Sequence, residues 1–170
     1  MKKYELTDET IEVYGTALHR IKALKDFGNV KKGEPGGYVE SEHNLSQEGD
    51  CWVYGNAEVY DNARVFGNAE VCGNAEVYGN AEVFGNAWVC GNAEVCGNAD
   101  YITIKGLGSK YRNTIIFRTK ENIAVKCGCF YGTLAEFVDK VKETHGNSKF
   151  AKEYLALIDL VKIHFELEDK

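Results

Sequence analysis

The middle of this chain has almost no positive charge. Between residues 51 and 100, Arg64 is the one basic residue against seven acidic ones, and the remainder of the 170 residues is balanced, so the whole formal charge of −6 rests on this stretch. A surface this acidic repels phosphate, which excludes nucleic acid as a partner of the middle and leaves any anion to be met at the ends. Histidine is missing from the same stretch, since His19, His43, His145 and His164 all lie outside it. No apolar run approaches the ~20 residues of a membrane span. Met1-Lys2-Lys3-Tyr4-Glu5 lacks the apolar segment of a signal peptide. The expectation is a soluble cytoplasmic protein with no membrane partner. Cys72 and Cys90 occupy a position that elsewhere carries Tyr or Phe, so they read as small apolar side chains in a reducing compartment.

What fills the middle is one phrase, repeated. Val53, Val59, Val65, Val71, Val77, Val83, Val89 and Val95 recur at every sixth position, each followed one residue on by Gly-Asn-Ala or, once, by Asp61-Asn62-Ala63. A period of six suits neither an α-helix nor a heptad coil, but it suits a short strand and a corner taken again and again. The valine and the alanine four residues later point inward. Gly-Asn turns the corner, because these residues accept positive φ most cheaply. Three flat faces then close a triangular coil, and stacked coils satisfy one another's backbone groups.

These hexads resemble the hexapeptide-repeat superfamily, whose fold is a left-handed parallel β-helix with about eighteen residues per coil. The resemblance covers Cys51 to Asp100. Upstream it continues in degenerate form: Gly37 and Gly49 keep the glycine register and Val39, Leu45 and Cys51 the small inward position, while Ser41 and Gln47 interrupt it at valine positions. It implies a homotrimer with parallel axes. Trp52 and Trp88 on one outward face, and Phe66 and Phe84 on another, are too aromatic to be left in water and are the expected oligomer contacts. The alternative is that the chain's own terminal segments cover one of these faces.

The expected fold is mainly β, a left-handed parallel β-helix with an N-terminal hairpin and a C-terminal β-hairpin plus αα-hairpin. Residues 1–36 read as a hairpin turning at Tyr14-Gly15 and a connector, with a helix from Ala17 to Phe27 as the competing reading. Residues 37–105 read as the β-helix, Tyr101 to Ile104 forming its last strand. In residues 106–170, two strands (114–119 and 122–127) precede a capping box at Thr133 and Glu136, a helix stopped by Gly146, and a second helix starting at Asn147 or Ser148.

Within that last region, residues 106–114 supply small residues, a hydroxyl and two cations, as a phosphate-binding loop needs, but they open onto a strand and not a helix. Cys127 and Cys129, two apart on a strand, would share a face suited to redox chemistry or to half of a metal site. A structural zinc needs four ligands and only His145 is near, so no metal is expected. Arg112-Asn113-Thr114, Cys127-Gly128-Cys129-Phe130 and His145-Gly146 also resemble a module of uncharacterised bacteriophage and gut-bacterial proteins.

For activity, the superfamily resemblance implies CoA-dependent acyl transfer, with a histidine as general base. The repeat here is uninterrupted, and His43, beside Glu42, is the one weak candidate. The favoured expectation is therefore a non-catalytic, cofactor-free binding protein. Lys110, Arg112, Asn113 and His145 would hold a small anionic ligand, such as a signalling nucleotide, at terminal or inter-subunit clefts, sequestering it in a bacterial host cell. Acyl transfer and a rigid scaffold for another protein are the alternatives.

Overall fold

The computed structural model describes residues 2–167, which fold as two compact units, the first ending at Asn98 and the second beginning at Ala99. Among the described residues no helix is long and apolar enough to cross a membrane.

The hexads wind the first unit into a left-handed parallel β-helix of about three coils. Each hexad yields one two-residue strand. These are β4 (Trp52–Val53), β5 (Glu58–Val59), β6 (Arg64–Val65), β7 (Glu70–Val71), β8 (Glu76–Val77), β9 (Glu82–Val83), β10 (Trp88–Val89) and β11 (Glu94–Val95). Strands eighteen residues apart pair in parallel, Val53 with Val71 and Val71 with Val89, so every third strand builds one face. All eight valines and the alanines between them are buried. Burying so small a set per coil is enough because coil-to-coil hydrogen bonds such as Tyr54 N to Val71 O (2.8 Å) and Glu58 N to Ala75 O (2.9 Å) run the length of the faces. The corner asparagines add a side-chain ladder, Asn62 to Asn80 and Asn68 to Asn86, each at 3.3 Å. Asp61 takes the corner at φ 55, and its carboxylate accepts from Gly79 N at 3.2 Å.

The N-terminal hairpin forms as expected. β1 (Tyr4–Val13) and β2 (Thr16–Ala23) pair antiparallel, with Tyr14 and Gly15 both at positive φ in the turn, which rules out the competing helix. β3 (Pro35–Val39) joins β2 to β5, so the hairpin extends one face of the helix beyond its first coil. The degenerate coil is corrected by two residues. Val39 stacks on Val59 and Leu45 on Val65, twenty apart, so both fill valine slots and not alanine slots. By Trp52 the offset has returned to eighteen. The two extra residues fall around Gln47, whose side chain is turned to the N-terminal strand.

One further expectation is corrected. Trp52 is fully buried under Tyr4 and Phe27, with ring centroids 6.0 and 5.3 Å away, so the chain's own N-terminal segment covers it and it offers nothing to another copy. Cys72 and Cys90 stack one coil apart as expected, because in-register stacking places like side chains directly above each other, with Cα atoms 4.4 Å apart. Phe66 and Phe84 stack at 5.2 Å with Phe84 half exposed, while Trp88 is half-buried.

Tyr101 to Ile104 is not a solenoid strand. The valine-alanine alternation has ended, a 3-10 turn (Asn98–Asp100) stops the last coil, and Ile102 and Ile104 alternate along a seven-residue strand. This β12 (Tyr101–Leu107) opens a four-stranded antiparallel sheet with β13 (Arg112–Arg118), β14 (Ile123–Cys127) and β15 (Phe130–Thr133). α1 (Leu134–His145) starts from the predicted capping box at Thr133 and Glu136, and α2 (Lys149–His164) from Ser148. Phe137, Val141, Tyr154, Leu157, Ile158 and Val161 pack with Ile116 and Val125 into the core of this unit.

Candidate anion-binding site

Strand order places the β12–β13 and β14–β15 turns at the same end of the second sheet. The first turn carries Ser109 and Lys110 and delivers Arg112 at the start of β13. The second carries Gly128 and Cys129. Along α1, Phe137, Lys140, Val141, Thr144 and His145 recur at helical spacing and share one face. Together with Tyr154 of α2, these elements enclose a cavity of about 310 Å3. Lys110, Arg112, Lys140 and His145 line it, and no carboxylate is among its lining residues.

The floor is ordered by Tyr154. Its hydroxyl lies 3.5 Å from Cys127 Sγ, which in turn accepts from Thr114 Oγ1 at 3.3 Å, and it donates to Leu107 O at 3.4 Å. Burial, reinforced by the Cys127 contact, pushes the Tyr154 hydroxyl well above the ordinary tyrosine range, so it remains a neutral group. His145 stacks on the Tyr154 ring at 5.8 Å, Phe137 meets the same ring edge-on at 5.4 Å, and Phe130 packs on Phe137 at 5.2 Å. The wall is therefore aromatic and the rim cationic.

Of the rim cations, Lys140 is paired with Glu143 at 2.8 Å, whose carboxylate holds the ammonium above its ordinary range. Lys110 and Arg112 make no ion pair with any described residue. Arg112 lies across Gly128: a Cβ at that glycine, which sits at φ +61, would land on the guanidinium and come within 2.8 Å of Arg112 Cδ. The backbone does not complete a phosphate cradle, since Gly108 N is spent on Glu153 at 3.0 Å and the loop is a hairpin turn.

Lys110, Arg112 and His145 thus line one cavity. Asn113 does not line the cavity, because it follows Arg112 on β13 and successive strand residues face opposite ways. Lys140, Thr144 and Tyr154 were missed, although their spacing from Phe137 and His145 carried the signal for the first two. Cys127 and Cys129 both line the cavity, but not as neighbours on one strand: β14 ends at Cys127, which is buried, while Cys129 is exposed in the turn. His43 stands exposed at a corner of the first coil, its backbone N–H donating to Ser41 Oγ, and it is not among the residues lining the cationic cavity.

No family model matches the chain. Over 62 residues it is 39% identical to the uncharacterized acetyltransferase YdcK of Escherichia coli (strain K12), a match that takes in 32% of this chain. The chain spans about a fifth (19%) of the length of this curated relative. Coil and match both fit the hexapeptide-repeat, acyltransferase-like superfamily. The cationic cavity belongs to the antiparallel sheet and helices that follow the solenoid.

Proposed function

We propose that this chain is a hexapeptide-repeat binding protein whose C-terminal unit holds a small anionic ligand between the two sheet turns and α1. The observation that carries the reading is the lining of the cavity: Lys110, Arg112, Lys140 and His145 with no carboxylate among them. Arg112 offers a planar fork to a phosphate or carboxylate group. The His145–Tyr154 stack and Phe130 offer flat apolar surface to a ring, so a mononucleotide suits both halves of the site. Asn113 has no direct part in it, and sequestration is the role that follows from binding without turnover. Calorimetric titration of the full chain with adenosine 5′-monophosphate tests this: saturable binding lost in Arg112→Ala/Lys140→Ala is expected, and equal affinity in that variant overturns it.

Acyl transfer is the second reading, favoured by the partial match to an acetyltransferase. Thiol release from acetyl-CoA that disappears in His43→Ala would carry it; no release would end it. In either reading we propose that copies associate as a homotrimer through the Phe66–Phe84 face. Phe84→Glu should then lower the mass measured by light scattering.

A further inference from the structure

A second cavity, of about 330 Å3, opens in the first unit at the tip of the N-terminal hairpin. Its walls are tyrosines. Tyr60 and Tyr78, one coil apart, lie parallel with ring centroids 5.3 Å apart and 5° between their planes, and Tyr14 joins them from the hairpin turn. Asp61 and Glu76 supply carboxylates, and no basic side chain is among the lining residues. The charge behind this lining has the same sign, for Glu94 accepts from the Tyr78 hydroxyl at 2.9 Å. On the hairpin itself Arg20 is engaged elsewhere, over the Tyr38 ring and against Glu9.

Two details separate this cavity from an ordinary acidic surface. Tyr60 is 4% exposed, yet its hydroxyl makes no hydrogen bond to any described residue. The hydroxyl itself is not closed off, since among the described residues Trp52 Nε1 is the one buried side-chain nitrogen or oxygen without a partner, so Tyr60 leaves its hydroxyl open to whatever occupies the cavity. Burial, and then the Glu76 carboxylate, push the Tyr60 hydroxyl well above the ordinary tyrosine range, so it stays neutral and able both to donate and to accept. The second detail is Tyr14. It sits at φ 49 with 89% of its surface exposed, at a turn position where asparagine or glycine would be unstrained. Its ring lines the cavity beside the two stacked tyrosines.

We propose that this cavity binds an organic ammonium cation, its charge set among the Tyr14, Tyr60 and Tyr78 rings and balanced by Asp61 and Glu76. Aromatic faces attract such cations through their quadrupoles, and the surrounding carboxylates supply the long-range field that selects cation over anion. The site lies wholly in the first unit and is independent of the anion cavity of the second.

Calorimetric titration of the full chain at low ionic strength with tetramethylammonium and with 1,4-diaminobutane tests the proposal. Saturable binding at one site per chain is expected, weakened about tenfold in Glu76→Gln and about tenfold in Tyr14→Asn. Tyr14→Asn relieves the turn and leaves the fold intact, so its loss of affinity is not a loss of structure. Arg112→Ala should leave the affinity unchanged. Saturable binding of neither cation, or binding that both tyrosine and glutamate variants leave at full strength, overturns it.

Discussion

The side-chain amide of Gln47 meets the backbone of Tyr4 in both directions: Nε2 donates to Tyr4 O at 3.4 Å and Oε1 accepts from Tyr4 N at 3.3 Å. Oε1 also accepts from Lys3 N at 2.8 Å. The residue that interrupts the repeat is therefore the one that fastens the N-terminal strand to the first coil. Around this joint Lys3 is buried, its ammonium donating to Cys51 O at 2.9 Å, and Tyr4 donates to Leu45 O at 2.6 Å.

Gln47→Leu should release that joint. It leaves the two N–H groups of Lys3 and Tyr4 without their acceptor, a cost of about 1–3 kcal/mol, and lowers the denaturant midpoint of the first unit followed by Trp52 fluorescence. An unchanged midpoint would mean that the amide contributes nothing.

Corner glycines should differ among themselves. Gly73 and Gly85 both sit in the left-handed region, at φ +74 and +69, but a Cβ at Gly73 would stand 2.9–3.1 Å from the Gly91 backbone, whereas one at Gly85 would meet nothing within 4 Å. Gly85→Ala pays backbone strain alone, about 1 kcal/mol, and Gly73→Ala pays that plus displacement of the coil above. Thermal melts of the two variants should therefore separate, with Gly73→Ala the lower.

Alkaline pH should loosen the first unit. Burial, then Glu70, raise the Tyr54 hydroxyl from 10.0 to about 12. With the folded value raised, its contribution to stability is complete below pH 10 and is lost as pH climbs towards 12, because the unfolded chain ionises first. Tyr4, Tyr60 and Tyr78 are shifted the same way, so the effects add. Stability measured from pH 9 to 12 by denaturant midpoint should fall, and Tyr54→Phe should make the fall shallower.

Gly128→Ala should act on the anion site through Arg112. Its Cβ would occupy the space of the guanidinium, which has to swing away, so affinity for adenosine 5′-monophosphate drops about tenfold. Gly15→Ala is the control: it shares the positive φ but would meet nothing within 4 Å and lies in the first unit, and its affinity should match the parent.

The solenoid was legible because its information is local and repeated. Val71 and Val89 have the same neighbours in sequence and therefore in space, and a six-residue phrase with a corner admits one way to stack. The hairpin turn at Tyr14-Gly15, the capping box at Thr133 and the stop at Gly146 were legible for the same reason, since each is decided within a few residues. Where the repeat lapses, that logic stops: whether Tyr101 to Leu107 adds to a coil or opens a new sheet depends on β13, which supplies its partner from residues further along the chain.

What the sequence determined by itself was the prism and its acidic character, along with the identity of the cations available to an anion. Only the tertiary structure decided which of them meet: Lys140 joins Lys110, Arg112 and His145 because two sheet turns and one helix face arrive at the same place, while Asn113, next to Arg112 in sequence, is turned away. Only the tertiary structure decided that Trp52 is roofed by Tyr4 and Phe27, from segments about fifty and twenty-five residues earlier. A repeat reports its own period, but contacts between distant segments are set by packing, and no short-range pattern in the chain records them.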